Sequence, residues 1–338
     1  MKRVTIRDIA KAADVSVGTV QRALNNFGNI SPQTRERVKK IANEMGYEPS
    51  YIAQTFVTGR TYNLGVVVPN LGGIFIDIIG EVEEIAMDAG YVVCLGESNL
   101  SAEKEDRCLE IMKKRYVDGL IVTPFVERKE KIYSNLVELS QKKPLVVLEQ
   151  NILVPELNVI ATDNYNNVYD TIKYMIDHGR KRIGFVHWGA TDWDPSQRER
   201  LKGYQDCIRD NGLKEMSYQA SYRSSKIDPV ALKEYMDREK PEIILGQFDA
   251  YTLLVMRCLN SLGYRIPEDV EIMGYDNTIM CDFTIPTLSS VTQPGRLIAK
   301  RGMEILLNLI DGKVFSPVHE QIKGEIVLRE STLPDLKQ

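Results

Sequence analysis

Residues 61–338 of this 338-residue chain alternate short β-rich apolar runs with helical patterns, and this alternation limits the fold more than any other feature. Strand-like runs are predicted at Leu64–Val68, Val92–Leu95, Gly119–Val122, Leu145–Leu148, Ile183–Val186, Ile243–Leu245 and Val270–Met273. Helices are predicted between them, at Ile78–Ala89, Lys104–Tyr116, Val168–His178, Leu201–Asn211 and Leu253–Leu262. Such alternation is typical of parallel sheets with helices on both faces. The strands are too many for one modest sheet, so we expect two doubly wound α/β lobes that meet near Ile160–Asp163.

The first 46 residues predict three short helices. Thr5 and Asp8 form a capping pair at the start of the first helix, Ser16 caps the second, and Ser31 followed by Pro32 begins the third. Only a very short turn separates the first two helices. This is the geometry of a helix-turn-helix, whose second helix presents its N-terminal residues to the base edges of DNA.

The distribution of charge agrees with contact to a polyanion at one end only. The formal net charge is −4, which by itself argues against nucleic acid. Residues 1–60, however, contain ten Lys/Arg and five Asp/Glu, whereas the remaining 278 residues contain 33 and 42. A basic head on an acidic body is expected when only the head binds DNA.

The second predicted helix offers side chains suited to DNA. Its outward positions are Val17, Gly18, Gln21 and Arg22. Arg22 can make a bidentate contact with guanine, and Val17 can pack against a thymine methyl group. Hydroxyl and amide side chains at Ser16, Thr19 and Asn25 suit phosphate oxygens, which position a domain without reading sequence. The alternative is a three-helix surface module with a solvated polar face.

Several classes of protein are excluded or disfavoured. Five cysteines are spread singly, which indicates cytosolic thiols rather than a disulfide scaffold or a zinc site. The start of the chain lacks a signal-peptide pattern and no run of 18 apolar residues occurs, so we expect a cytoplasmic protein without membrane contact. Nucleotide-binding glycine loops, a GxSxG motif and an HExxH motif are absent, and the three histidines lack ligand spacing. No cofactor, metal or catalytic residue is therefore predicted.

The segments TIRDIAKAADVSVGTVQRALN and ISPQTRERVKKIANEMGYEP resemble the N-terminal domain of the LacI/GalR family of bacterial transcriptional repressors. The resemblance implies a helix-turn-helix domain at 1–48 and a hinge helix at 49–60 that folds on operator DNA. In the hinge, Ala53 and Gln54 would line the minor groove, and Phe56 would be the apolar wedge where the family usually has leucine. Gln21 stands where the family usually has serine. The predicted DNA contacts are Thr5, Ser16, Val17, Gly18, Thr19, Gln21, Arg22, Asn25, Ser31, Thr34, Tyr47, Ala53, Gln54 and Phe56.

The body also resembles this family, whose effector domain is similar to periplasmic sugar-binding proteins. The markers are NLGVVVPNLGGIF, KKRYVDGLIV, ATDN, HGRKRIGFV, RERLKGY, GYRIPEDVEIMGYDN and FTIPTLSSVTQP. The resemblance implies an effector-binding and dimerisation domain at 61–338. Its N-lobe would comprise about 61–161 and 292–323, and its C-lobe about 162–291 and 324–338. The chain would cross between lobes three times, with Pro294–Ile310 returning to the N-lobe and Ile326–Arg329 to the C-lobe.

Family positions and aromatic side chains give a predicted effector site. It comprises Ile74, Phe75, Asp163, Trp188, Trp193, Ser196, Arg200, Phe248, Asp249 and Asp276. Carboxylates accept hydrogen bonds from hydroxyl groups, an arginine donates to them, and flat rings pack against a sugar. Simpler roles remain open: Asp163 and Asp249 as helix caps, Asp276 as a turn residue and Arg200 as a solvated charge. We expect a sugar, a polyol or a sugar acid.

The combined prediction is a homodimeric, effector-controlled regulator that represses transcription from a near-palindromic operator. No heptad pattern follows the last strand, so a dimer is favoured over a tetramer. The alternative is a solute-binding receptor of a carbohydrate transporter, which the body alone would permit. A third hypothesis is an α/β enzyme acting on a small carbohydrate with the pair Asp163 and Asp276.

Overall fold

The computed structural model describes residues 4–24, 28–47, 59–124, 129–150, 152, 154–188, 194–219 and 227–337. The chain divides into two compact units, Met1–Thr61 and Tyr62–Gln338. Among the described residues, no helix has both the length and the apolar character needed to span a membrane.

The first unit contains three helices, each begun by a hydroxyl side chain. They are α1 (Ile6–Ala12), α2 (Val17–Leu24) and α3 (Pro32–Glu44). Thr5 and Asp8 form a complete capping box on α1. Ser16 Oγ accepts from Thr19 N at 3.1 Å, and Ser31 Oγ accepts from Thr34 N at 3.2 Å. The three predicted helix starts are thus confirmed, and each cap satisfies first-turn N–H groups that have no partner within the helix.

The helices of the first unit pack around a small apolar core. Ile9 on α1, Val20 on α2 and Val38 on α3 are fully buried and are surrounded by buried alanines. Between α1 and α2 the backbone at Asp14 has a φ of 49°, which makes the tight turn that the sequence predicted. Gly46, with a φ of 66°, follows the end of α3 as expected for a helix C-terminus.

The second unit contains two six-stranded sheets, whose elements are numbered along the chain. The first sheet has the strands β1 (Asn63–Val68), β2 (Val92–Glu97), β3 (Gly119–Val122), β4 (Leu145–Leu148), β5 (Asn158–Thr162) and β11 (His319–Ile322). Their order is β11-β5-β4-β3-β1-β2, and all neighbours are parallel. The helices of this lobe are α4 (Ile74–Asp88), α5 (Ala102–Lys114), α6 (Lys129–Ser140) and α11 (Gly295–Ile310).

The second sheet repeats the arrangement. Its strands are β6 (Ile183–His187), β7 (Met216–Gln219), β8 (Ile243–Gly246), β9 (Glu271–Asp276), β10 (Ser289–Thr292) and β12 (Ile326–Val327). Their order is β12-β10-β9-β8-β6-β7, and only β12 is antiparallel to its neighbour. The helices of this lobe are α7 (Asn164–Asp177), α8 (Pro195–Asp210), α9 (Pro229–Glu239) and α10 (Asp249–Ser261). Two 3₁₀ helices lie at Ile279–Phe283 and Pro334–Lys337.

The chain passes between the two lobes three times: between β5 and α7, between β10 and α11, and between β11 and β12. Helix α11 packs into the core of the first lobe, whereas β12 pairs with β10 in the second. The crossings contact one another. Thr162 Oγ1 lies 3.5 Å from Gln293 Oε1, and a Cβ on Gly324 would lie 1.7 Å from Thr292 O.

Some elements differ from the prediction. The strands β5, β7, β10 and β11 were not predicted, and His319, expected only as a surface residue, begins β11 with an exposed side chain. Predicted helix starts were late. Helix α8, for example, begins at Pro195 rather than Leu201, because Asp194 caps a polar first turn that carries no apolar periodicity.

Candidate functional site

The outer face of α2 carries the polar positions that the sequence assigned to DNA. Gly18, Gln21 and Arg22 are exposed, and Val17 is 39% exposed. On the opposite face, Val20 is fully buried. The apolar stripe therefore fixes which side of α2 faces solvent, as predicted.

Arg22 is held along its own helix. Its Nε donates to Gly18 O at 3.1 Å. Gly28 follows α2 with a φ of 73°, and a Cβ there would lie 3.2 Å from Arg22 Cδ. These contacts hold the guanidinium near the first turn of α2. A recognition helix presents this N-terminal end to the bases.

The hydroxyl residues predicted to contact DNA also cap helices. Ser16 Oγ lies 2.9 Å from Thr19 Oγ1, and Ser31 Oγ lies 2.8 Å from Thr34 Oγ1. Thr5 Oγ1 donates to Asp8 at 2.7 Å. These groups stand at helix N-termini, where N–H groups and the helix dipole favour anions. Tyr47 packs against the core of the unit. The predicted contacts Asn25, Ala53, Gln54 and Phe56 lie outside the described residues.

In the second unit, Arg200 on α8 is a buried charge with fixed partners. It is 3% exposed, so the alternative of a solvated helix charge is wrong. Its Nε donates to Asn164 Oδ1 at 2.8 Å and its Nη1 donates to Gln247 O at 2.8 Å. The guanidinium also lies 3.8 Å from the centre of the Tyr275 ring. These contacts hold the guanidinium at the carboxyl ends of β8 and β9.

Asp276, the last residue of β9, faces Arg200. Its side chain is 14% exposed, and Oδ1 lies 3.6 Å from Arg200 Nη1. Gln293 Nε2 donates to the same oxygen. Burial raises the pKa of Asp276 to about 7, although Arg200 and the Gln293 hydrogen bond act in the opposite direction. Asp276 has a φ of 117°, so its backbone is strained as well. Turn chemistry alone does not account for such a buried, charge-paired carboxylate.

Glu149, which the sequence analysis missed, brings a second buried carboxylate. It directly follows β4, is 5% exposed and accepts a hydrogen bond from Thr162 Oγ1 at 2.8 Å. Burial raises its pKa to about 7, with opposing effects from Thr162 and Arg200. An acidic residue directly after a wholly apolar strand, as in LVVLEQN, was the signal that could have revealed it.

Asp163 has the capping role that the sequence left open. It is the N-cap of α7, and its Oδ1 accepts from Asn166 N at 3.1 Å. Its Oδ2 accepts from Asn166 Nδ2 at 2.8 Å. Ser196 belongs to a similar cap, because its N and Oγ both donate to Asp194.

Asp249 does not have the alternative role of a helix cap. Phe248 is the N-cap of α10, and Asp249 is the first helical residue, with a fully buried side chain. Thr278 donates to it from N at 2.6 Å and from Oγ1 at 3.0 Å, and Ser290 Oγ donates at 2.7 Å. Cys281 Sγ lies 3.1 Å away. Burial raises the pKa of Asp249. Its carboxylate therefore anchors the segment after Asp276 from within the lobe.

Two aromatic residues of the second lobe, Trp188 and Phe248, adjoin Gln247, whose backbone carbonyl accepts a hydrogen bond from Arg200. Trp188 follows β6, is half-buried and meets Phe248 edge-on at 5.0 Å between ring centres. Phe75 is half-buried, whereas Ile74 is buried in the first lobe's core. Trp193 lies outside the described residues.

Two buried side-chain amide atoms, one beyond the carboxyl end of a strand in each sheet, have no hydrogen-bond partner among the described residues. They are Gln247 Nε2, directly after β8, and Gln150 Oε1, two residues after β4. A buried polar atom without a partner is costly, and a bound molecule can supply the missing bond. Within the described part of the chain, no group of three or more His, Cys, Asp or Glu residues could hold a metal ion.

A helix-turn-helix unit followed by a two-lobed α/β unit, with buried charged side chains at its strand ends, is an arrangement that known proteins share. Residues 5–50 match the family "Bacterial regulatory proteins, lacI family", and residues 172–332 match "Periplasmic binding protein-like domain". The chain belongs to the LacI family of bacterial transcriptional regulators.

Relatives and solved structures match over nearly the whole chain. Catabolite control protein A of Priestia megaterium is 29% identical over 97% of this chain and 99% of its own. The regulator DegA of Bacillus subtilis is 27% identical over 98% and 99%. The Lac repressor dimer bound to operator has the same fold, with a TM-score of 0.81 at 23% identity over 98% of this chain and 100% of its own. The CelR–cellobiose complex has a TM-score of 0.68 at 26% identity over 97% and 100%.

Proposed function

We propose that this protein is a sequence-specific DNA-binding repressor. Its affinity for its operator would be controlled by a small molecule bound between the lobes of the second unit. The main support is the outward face of α2, where Val17, Gln21 and Arg22 are exposed and can meet base edges. The proposal is also supported by relatives that are repressors by name, such as CytR of Escherichia coli. A protein with this role meets DNA in the cytoplasm.

The head would bind in the manner of a helix-turn-helix. Arg22 would read guanine, and the hydroxyls that cap α2 and α3 would sit against phosphates. The hinge helix proposed at 49–60 falls mostly outside the described residues. It stays a prediction, with Phe56 as the minor-groove wedge.

Two heads would be joined by dimerisation of the second unit. Large apolar side chains are exposed at Ile279, Phe283 and Ile285, and Ile285 is 92% exposed. Contiguous exposed apolar side chains favour a protein interface. The related Lac repressor structure is described as a dimer, which supports the same arrangement here. A two-fold protein then matches a near-palindromic operator.

The effector would bind at the carboxyl ends of the strands, where both lobes place polar groups. Arg200 supplies donors, Asp276 supplies acceptors, and Trp188 and Phe248 supply flat faces. The related CelR was solved with cellobiose and another relative with D-xylulofuranose. We therefore propose a polyhydroxylated effector for this chain.

Control of DNA binding would come from a difference in effector affinity between two arrangements of the lobes. A ligand that contacts both lobes favours the arrangement in which they approach. Such coupling is typically about 1–3 kcal/mol, which is about 5- to 150-fold in operator affinity.

The test is direct selection and measurement of DNA binding. Random duplexes are selected on the purified full chain, and fluorescence anisotropy then compares the selected and a shuffled duplex at several salt concentrations. We expect a preference for the selected duplex and a negative slope of log affinity against log salt. Arg22→Ala should reduce the preference, whereas Arg238→Ala, at an exposed arginine of the second unit, should not. Equal affinity for both duplexes would defeat the proposal.

A further inference from the structure

The two lobes enclose an unequal number of charges. Glu149 comes from the first lobe, and Asp276 and Arg200 come from the second. Glu149 and Arg200 are buried, and the Asp276 side chain is 14% exposed. Arg200 lowers the pKa of both carboxyl groups, and Glu149 raises that of Asp276. Two carboxylates facing one guanidinium leave one negative charge without a partner, which is unfavourable away from water.

A chain of polar contacts through Thr162 and Gln293 joins the two carboxyl groups. Thr162 Oγ1 lies 2.8 Å from Glu149 Oε1 and 3.5 Å from Gln293 Oε1. At the far end, Gln293 Nε2 donates to Asp276. The hydroxyl has a single hydrogen but faces two acceptors. If Glu149 carries a proton, it donates to Thr162, and the Thr162 hydrogen is released for Gln293, so the whole chain is satisfied.

The surrounding charges do not remove the imbalance. Helix α8 presents Asp194 as well as Arg200 toward Glu149. Asp276 is faced by Arg200, Glu149 and the buried carboxyl of Asp249. Burial is the largest cause that raises the pKa of Glu149 and of Asp276, each to about 7, and Arg200 only partly opposes it.

We propose that Glu149 and Asp276 form a cation subsite, which holds one positive charge in addition to Arg200 when the lobes are together. The charge is a proton carried by one of the two carboxyl groups, or the ammonium group of an effector that takes the proton's place. The ammonium arm rests on the proposed function, whereas the proton arm does not. An effector with a carboxylate or phosphate near this pair is disfavoured, so the subsite argues against the sugar acid that the sequence permitted.

The proton is tested without any ligand. Both carboxyl groups have raised pKa values in the folded protein. The folded protein therefore binds more protons than the unfolded chain between about pH 4.5 and pH 7. Its free energy of unfolding falls as pH rises through that window. Glu149→Gln cannot lose a proton and keeps a donor for Thr162. We expect its melting temperature to match that of wild type at pH 5 and to exceed it at pH 8, by about 3 °C or more.

The control is Glu234→Gln, at an exposed position of the second lobe, which should follow the wild-type profile. Asp276→Asn is a second variant with the same expected profile, in case Glu149→Gln does not fold. If both Glu149→Gln and Asp276→Asn follow the wild-type profile, the subsite is overturned.

The source of the charge is tested with three matched probes, glucose, glucosamine and gluconate, in thermal-shift measurements at pH 8. A larger shift with glucosamine than with glucose, lost in Glu149→Gln, supports the ammonium arm. Equal or absent shifts overturn that arm and leave the proton as the source. Stabilisation by gluconate above that by glucose overturns the subsite. None of these outcomes alters the DNA-binding test, so the two proposals fail separately.

Discussion

Replacing Arg200 with methionine keeps the length of the side chain and removes its charge. Asn164 Oδ1 and Gln247 O then each lose a hydrogen-bond donor, and the Asp276 carboxylate loses its ion-pair partner. The guanidinium face over Tyr275 is also lost. Methionine fills much of the same space, so the change tests electrostatics and hydrogen bonding more than packing.

The magnitude follows from the geometry and depends on pH. Two unit charges 3.6 Å apart attract by about 5 kcal/mol at an effective dielectric constant of about 20, before the cost of burying them is subtracted. Leaving a buried charge without its partner typically costs about 3–5 kcal/mol. The pKa of Asp276 is raised to about 7, so its carboxyl is charged at pH 8 and protonated at pH 5. We expect a loss of about 3–5 kcal/mol at pH 8, and a loss about 2 kcal/mol smaller at pH 5, where only neutral acceptors go unpaired.

The loss of stability is measured by thermal unfolding, followed by circular dichroism, of wild type and Arg200→Met at both pH values. For a unit of this size, the loss at pH 8 corresponds to a melting temperature lower by about 6–20 °C. Arg198→Met, at an exposed position of the same helix, is the control and should change little. Arg200→Met with Asp276→Asn should recover most of the pH-dependent part. Equal losses at pH 5 and pH 8 would show that Asp276 is not the charge that Arg200 balances.

Three further changes test other parts of the molecule. Arg22→Ala should weaken binding to the selected duplex by about 5- to 150-fold and relax the base preference at one position per half-site, whereas uniform weakening on all duplexes would indicate a phosphate contact. Gly324→Ala places a Cβ 1.7 Å from Thr292 O, so we expect a loss of about 1–3 kcal/mol in urea unfolding; Gly80→Ala, with nothing within 4 Å, is the control, and equal behaviour of the two would refute the contact. Ile285→Glu should shift the protein from dimer to monomer in light scattering, and an unchanged mass would remove this segment from the interface.

The fold was largely predictable because it depends on local patterns. Apolar runs and helical periodicity gave two α/β lobes, and the hydroxyl caps at Thr5, Ser16 and Ser31 gave the helix starts of the first unit. The edge strand β11 was missed because its sequence, HEQI, is mostly polar and pairs on one side only. A strand of this kind has no apolar run to reveal it.

The candidate site was predictable only where the family pattern named a residue. Arg200 and Asp276 were named and lie together, but Glu149 and Gln293 were not, because their roles arise from contacts between distant parts of the chain. Asp249 shows the same limit. A polar residue at the start of a helix is usually interpreted as a cap. The hydrogen-bond partners of Asp249, however, lie about 30 to 40 residues further along the chain.

The three crossings between lobes lie side by side and touch, with Thr162 against Gln293 and Gly324 against Thr292. Three crossing segments along one edge resist twisting and sliding of the lobes far better than one segment would. The lobes can then move easily only by rotation about the hinge that these segments form. Molecules of different shape that enter the cleft would then drive the same movement. Specificity would be decided by which molecules bind, while the mechanical signal passed along the chain stays the same.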